Sequence, residues 1–183
     1  MGLRSLPTLC PLFILNTLDY CNSVFVGLPA STITALQRVH NAAARLVKGL
    51  STRDHITSAL SDLHVHVDWP HIQYRISYKL CVLMHLVHTG NSPSYLSDLV
   101  TTTANIPSRN RLRSARTHCY EPLTTRLKFV ERCFSYASPR AWNSLSQANQ
   151  EITDSNIFKR KLKMFLWEYS YSLHSDSFLP WSL

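Results

Sequence analysis

Apolar residues return at steps of three and four in three stretches of this 183-residue chain, the spacing of helices that each bury one face. In the first, Ile33, Leu36, Val39, Ala43, Leu46, Val47 and Leu50 line up, while Gln37, Arg38, Asn41, Arg45 and Lys48 fill the opposite face. Pro29 and Ser31 mark its start and Gly49 its stop. In the second, from about 71 to 88, the stripe is Ile72, Ile76, Leu80, Leu83, Met84 and Val87. Gly90, Asn91 and Pro93 end it, since glycine accepts a left-handed cap and proline cannot continue a helix. The third stripe is Ile157, Phe158, Leu162, Phe165, Leu166 and Tyr169, with Asp154 or Ser155 as the N-cap and Lys159, Arg160 and Lys163 facing away.

Shorter helices are predicted at 54–63 and 93–100. The segment 101–120 has no period and reads as a loop, long enough to signal function or disorder. No internal repeat occurs, nor any convincing run of alternating strand residues. The expectation is therefore a mainly α fold: a small helical bundle plus a C-terminal helical group, joined by a long basic loop. Its divisions are an N-terminal edge at 1–17, a helical region at 18–100, the basic loop at 101–120, a helical extension at 121–175 and a tail at 176–183.

Charge sharpens this picture. The formal net charge is +8. Residues 1–103 carry seven basic and five acidic groups, residues 104–140 eight and two, and residues 141–183 four of each. Three quarters of the excess thus lies in a fifth of the chain, which points to a local anion contact. Its densest part holds Arg109, Arg111, Arg113 and Arg116 among Ser, Thr and Asn, without an acid. Guanidinium groups two or three residues apart in a polar segment can each engage a separate phosphate.

Other chemistry is thin. Four glycines exclude a Gly-rich phosphate loop. Five cysteines at irregular spacing, without an Asn-x-Ser/Thr sequon, argue against a secreted disulfide scaffold and favour an intracellular, reducing compartment. The apolar run from Leu6 to Leu15 is broken by Pro7 and Pro11 and lacks a small-x-small cleavage site, so no signal peptide is expected. No stretch has the 18 or so apolar residues of a membrane span. His64, His66, His71, His85 and His88 invite a metal reading, yet no Cys-x-x-Cys or His-x-x-x-His spacing supports one, so neither a metal nor a cofactor is expected. His85 and His88 read better as a pair beside the core, as do Trp69 and Trp142 as core anchors. The eleven acids are scattered, no two adjacent. A nucleophile elbow is also missing, so no catalytic centre is expected.

LDYCNSVFVGLP (18–29), LQRVHNAAARLVKGL (36–50) and RDHITSALSDLH (53–64) resemble the region after the polymerase core in non-LTR retrotransposon reverse transcriptases of the LINE type, jockey-like and chicken-repeat-like. YKLCVLMHLVHTGNSPSYLSDLV (78–100), RNRLRSA (109–115), ERCFSYASPRAWNSL (131–145) and NIFKRKLKMFL (156–166) continue the pattern in the same order. The chain departs from it at Val130 and Ser138, where the family tends to Gly, and at Leu145-Ser146, where Leu-Pro is usual.

The resemblance implies a thumb-like helical region over 18–100, which in such proteins grips a template-primer duplex along its backbone, followed by a C-terminal extension. The aromatic-x-Asp-Asp turn of the family's polymerase site does not occur in this sequence. The expected function is that of a catalytically inactive C-terminal fragment with, at most, weak and salt-dependent binding to an RNA or DNA backbone. Arg109, Arg111, Arg113 and Arg116 are the first candidates for phosphate contact, and Arg38, Arg45 and Lys48 the second. The alternative is an α-helical protein-interaction module that binds a protein partner, a second copy of itself included, through an uncovered face of helix 32–50 or 71–88.

Overall fold

The computed structural model describes residues 22–51, 53–54, 71–106 and 118–172, together with Thr17 and Tyr20. It is mainly helical, as expected. A 3-10 turn at Asn22–Phe25 leads into α1 (Ala30–Lys48); α2 (Ile72–His88) and a short α3 (Ser94–Ser97) follow. Two-residue strands β1 (Thr101–Thr102) and β2 (Tyr120–Glu121) bracket the basic segment, and α4 (Phe134–Asn143), α5 (Gln147–Gln150) and α6 (Ser155–Ser172) complete the order. The helix expected at 54–63 falls outside the described residues, and the one expected at 93–100 is shorter than its pattern.

Both long N-terminal helices end as their glycines dictate. Gly49 (φ 67°) and Gly90 (φ 72°) adopt the left-handed conformation. At the first end, the Leu50 N–H donates to the Arg45 carbonyl at 2.9 Å and Gly49 N–H to Leu46 at 3.3 Å. At the second, Asn91 N–H donates to Leu86 at 2.8 Å and Gly90 N–H to Val87 at 3.2 Å. These paired bonds satisfy carbonyls that a helix terminus otherwise leaves open.

The helix α2 is the centre of the fold. α1, α4, α6 and the 22–25 turn all pack against it. Ile72, Ile76, Leu80 and Met84 are buried as their spacing predicts, with Leu83 and Val87 at the margin. One core joins these to Val26, to Ala137, Ala141, Trp142 and Leu145, and to Phe158, Leu162 and Leu166. Helices on the two sides of the basic connection therefore share a single interior.

Two faces differ from the pattern. α1 buries His40, Ala43 and Ala44, while Val39 and Leu46 stand exposed. Gln37, expected on the outer face, turns inward: its Oε1 accepts the Ile72 N–H at 2.9 Å, and its Nε2 donates to Asn41 Oδ1 at 2.9 Å. This bond satisfies an open donor at the start of α2, and the alanines allow close approach, so the helix is rotated toward its small and polar side. On α6, Phe158, Leu162 and Leu166 are buried, but Ile157 faces solvent.

No periodic stripe announced α4. Its interior is made of Tyr136, Ala137, Ser138, Pro139, Ala141 and Trp142. Pro139 has no N–H to continue the helical ladder. One residue before it, the buried Ser138 hydroxyl donates to the Phe134 carbonyl within the helix.

Asp154 caps α6: one Oδ1 accepts the N–H groups of Asn156 and Ile157, both at 2.8 Å. Asp154→Ala should cost about 1 kcal/mol and lower the midpoint of thermal unfolding by about 2–4 °C; circular dichroism at the helix band measures it. Asp154→Asn should keep most of the cap.

Candidate nucleic-acid interface

The residues on either side of the basic segment form a short stem. Thr101 pairs with Glu121 and Thr102 with Tyr120 in an antiparallel register. One step further, Thr103 gives both its N–H and its hydroxyl to the Cys119 carbonyl, each at 3.1 Å. Strands of two residues are too short to show alternation, which is why the sequence pattern gave no sign of them.

The stem is fastened to α4 and α2. Asn143 acts as a third strand partner: its Oδ1 accepts the Tyr120 N–H at 3.0 Å, and its Nδ2 donates to the Tyr120 carbonyl at 2.7 Å. The indole N–H of the fully buried Trp142 donates to the His118 carbonyl at 2.8 Å. His88 Nδ1 lies 3.1 Å from the Tyr120 hydroxyl, and its ring meets that of His118 edge-on at 4.8 Å. The two points from which the basic segment departs are therefore held side by side.

Arg109, Arg111, Arg113 and Arg116 fall outside the described residues. The second set is described: Arg38, Arg45 and Lys48 lie at helical steps of seven and three, along one flank of α1. Arg38 and Lys48 are exposed, whereas Arg45 is half-buried. Charge counting passed over four further cations of the same excess: Arg126, Lys128, Arg132 and Arg140, all exposed. They make up the other half of the eight basic groups in 104–140, and the tighter cluster upstream masked them. Arg132 Nε donates to the Gly27 carbonyl at 3.2 Å. Arg140 donates to the Tyr136 hydroxyl at 2.7 Å, and its guanidinium carbon sits 5.1 Å from that ring's centre. Of the four, Arg140 lines an open cleft, together with Phe25, Gly27, Gln73, Ser77 and Tyr136, among others.

Among the described residues, His85, His71 and Cys81 have structural places. His85 is buried, with Nε2 2.8 Å from the Ile152 carbonyl and its ring stacked on Phe158 at 4.1 Å. A carbonyl can only accept, so Nε2 carries the proton. His71 occupies the N-cap position of α2, and His64, His66 and Trp69 lie outside the described residues. Among the described residues, no three of His, Cys, Asp and Glu are grouped to hold a metal. Burial pushes the Cys81 thiol up to about 12, so it stays protonated and inert. Among the described residues, no helix is long and apolar enough to cross a membrane. No protein-family model matches this chain, nor does any curated protein or solved structure.

His88 is held below the ordinary histidine range, first by desolvation and then by the nearby His118 and His85. In the window between that lowered value and about 6.5, the unfolded chain binds more protons than the folded one, so stability rises with pH. His88 should thus favour the fold above about pH 6.5 and weaken it on acidification. Urea midpoints measured at descending pH should fall for the parent chain and fall less for His88→Gln.

Proposed function

We propose that this chain derives from the thumb and C-terminal extension of a LINE-type reverse transcriptase, and that its retained activity is sequence-independent contact with a nucleic-acid backbone, without polymerase chemistry. The observation that carries the contact is the stem: a segment with four arginines and no acid departs from two points fastened side by side on the core. Closing a segment at its base removes part of the ordering cost that a free tail meets on binding. The ordered sequence blocks support the ancestry, and the blocks 78–100 and 131–145 pack together through α2 and α4. Phosphoryl transfer on two metals needs carboxylates converging on ions about 3.5–4 Å apart, and this sequence spreads its eleven acids singly.

Binding should weaken steeply as salt rises from about 50 to 200 mM. Replacing Arg109, Arg111, Arg113 and Arg116 together by Gln should lower the slope of log affinity against log salt by up to about 3. Fluorescence anisotropy with labelled RNA and DNA measures both, and an affinity indifferent to salt contradicts the proposal.

One observation favours self-association as a second reading. Val39 and Leu46, 47% and 65% exposed, lie one heptad apart on the flank of α1 away from Arg38 and Arg45. The corresponding face of α2 is covered by the core. On gel filtration this reading expects a dimer that grows with concentration, ignores added RNA and disappears in Leu46→Lys.

A further inference from the structure

We propose that the segment 126–132, with Arg140 beside it, is a contact surface for single-stranded nucleic acid, in which Arg126, Lys128 and Arg140 meet phosphates and a base stacks on Phe129. This rests on the backbone-contact reading above and adds to it the strand state and a second set of residues.

The placement of the side chains carries the inference. Phe129 is 76% exposed, between cations at 128 and 132. Three backbone bonds fix the turn that presents it: Val130 N–H to Leu127 at 2.9 Å, Arg132 N–H to Phe129 at 3.2 Å and Cys133 N–H to Val130 at 2.9 Å. Arg132 pins this turn to the Gly27 carbonyl, and Gly27 shares the open cleft with Tyr136 and Arg140. The turn is thereby tied to one lining residue of the cleft that Arg140 also lines. Arg126 and Lys128 are exposed and make no interaction with another described side chain. Their charge is free for an anion, and Glu131 is the single acid between residues 122 and 150.

An exposed phenyl ring among exposed cations is the arrangement by which single strands are held: cations follow the backbone while an aromatic face takes an unstacked base. A duplex keeps its base faces covered and gives such a ring nothing to stack on. An anionic membrane fits less well. Surface-binding elements bury a broad apolar face with cations along its edge, whereas here Leu127 and Phe129 are each flanked by a cation in a turn.

The test compares oligothymidylate about 20 nucleotides long, a duplex of mixed sequence, and vesicles of phosphatidylserine and phosphatidylcholine, all with the full chain. Phe129→Ala should weaken oligothymidylate binding roughly 5- to 150-fold while leaving duplex affinity and salt slope unchanged. The pair Arg126→Gln and Lys128→Gln should lower the salt slope on the single strand by about 1.4. Phe129→Trp should keep the affinity and add an emission component that oligothymidylate quenches. These positions are exposed, so the helix signal should match the parent in every variant. Oligothymidylate binding that retains its salt dependence yet ignores all three variants overturns this surface and leaves the backbone-contact reading standing. A parent chain that binds neither nucleic acid overturns both, and binding to the vesicles alone assigns the surface to lipid and overturns it too.

Discussion

The burial of Trp142 is the constraint on which the rest depends. An indole can be enclosed at low cost only where its N–H finds an acceptor, and here the acceptor is the His118 carbonyl at 2.8 Å. Its ring packs near His88, Tyr120 and Phe158. One side chain thereby joins α2, α6 and the return end of the basic connection. Its own carbonyl is taken by Gln150 Nε2 at 2.8 Å, which folds the short α5 back beneath it. Without this anchor α4 would keep few large apolar groups, because its other buried residues are mostly small.

Much of this fold can be read from the sequence, and the failures have physical causes. Where large aliphatic residues recur over four turns, as on α2, burial follows the spacing closely. On α1 the apolar residues span two adjoining arcs, and periodicity cannot tell which of them faces in. Gln37 settles that by bonding the Ile72 N–H across a gap of 35 residues, a contact that no local pattern contains. α4 stayed hidden because alanine, serine and proline fill its inner face, and helix–helix proximity there comes from small size rather than from hydrophobicity. Asp154 was legible because capping is local: the signal and the bond lie within three residues.

The candidate interface was legible in charge and illegible in shape. A count of ionic residues located the excess in 104–140 and drew attention to its densest run. It gave no hint that the run begins and ends at a stem, since that depends on side chains at 88, 142 and 143 meeting backbone at 118 and 120. Nor could it separate a cation with a partner from one without. Arg132 and Arg140 are engaged by Gly27 and Tyr136, while Arg126 and Lys128 are not engaged by another described side chain.

The stem also changes how the two cationic segments combine on the proposed reading. Arg116 stands two positions before His118, and Arg126 six positions after Tyr120, so both cations lie within a few residues of the same fixed stem. A strand held by one is tethered within a short length of chain from the other, and the second engagement becomes intramolecular. Two weak contacts so arranged gain affinity without either being strong, provided that one strand can span both. The individual contacts are electrostatic and weaken with each cation removed, because the condensed counterions released per phosphate set their scale. On this reading a chain with few charged residues holds a polyanion by concentrating its excess beside the stem at 101–103 and 119–121.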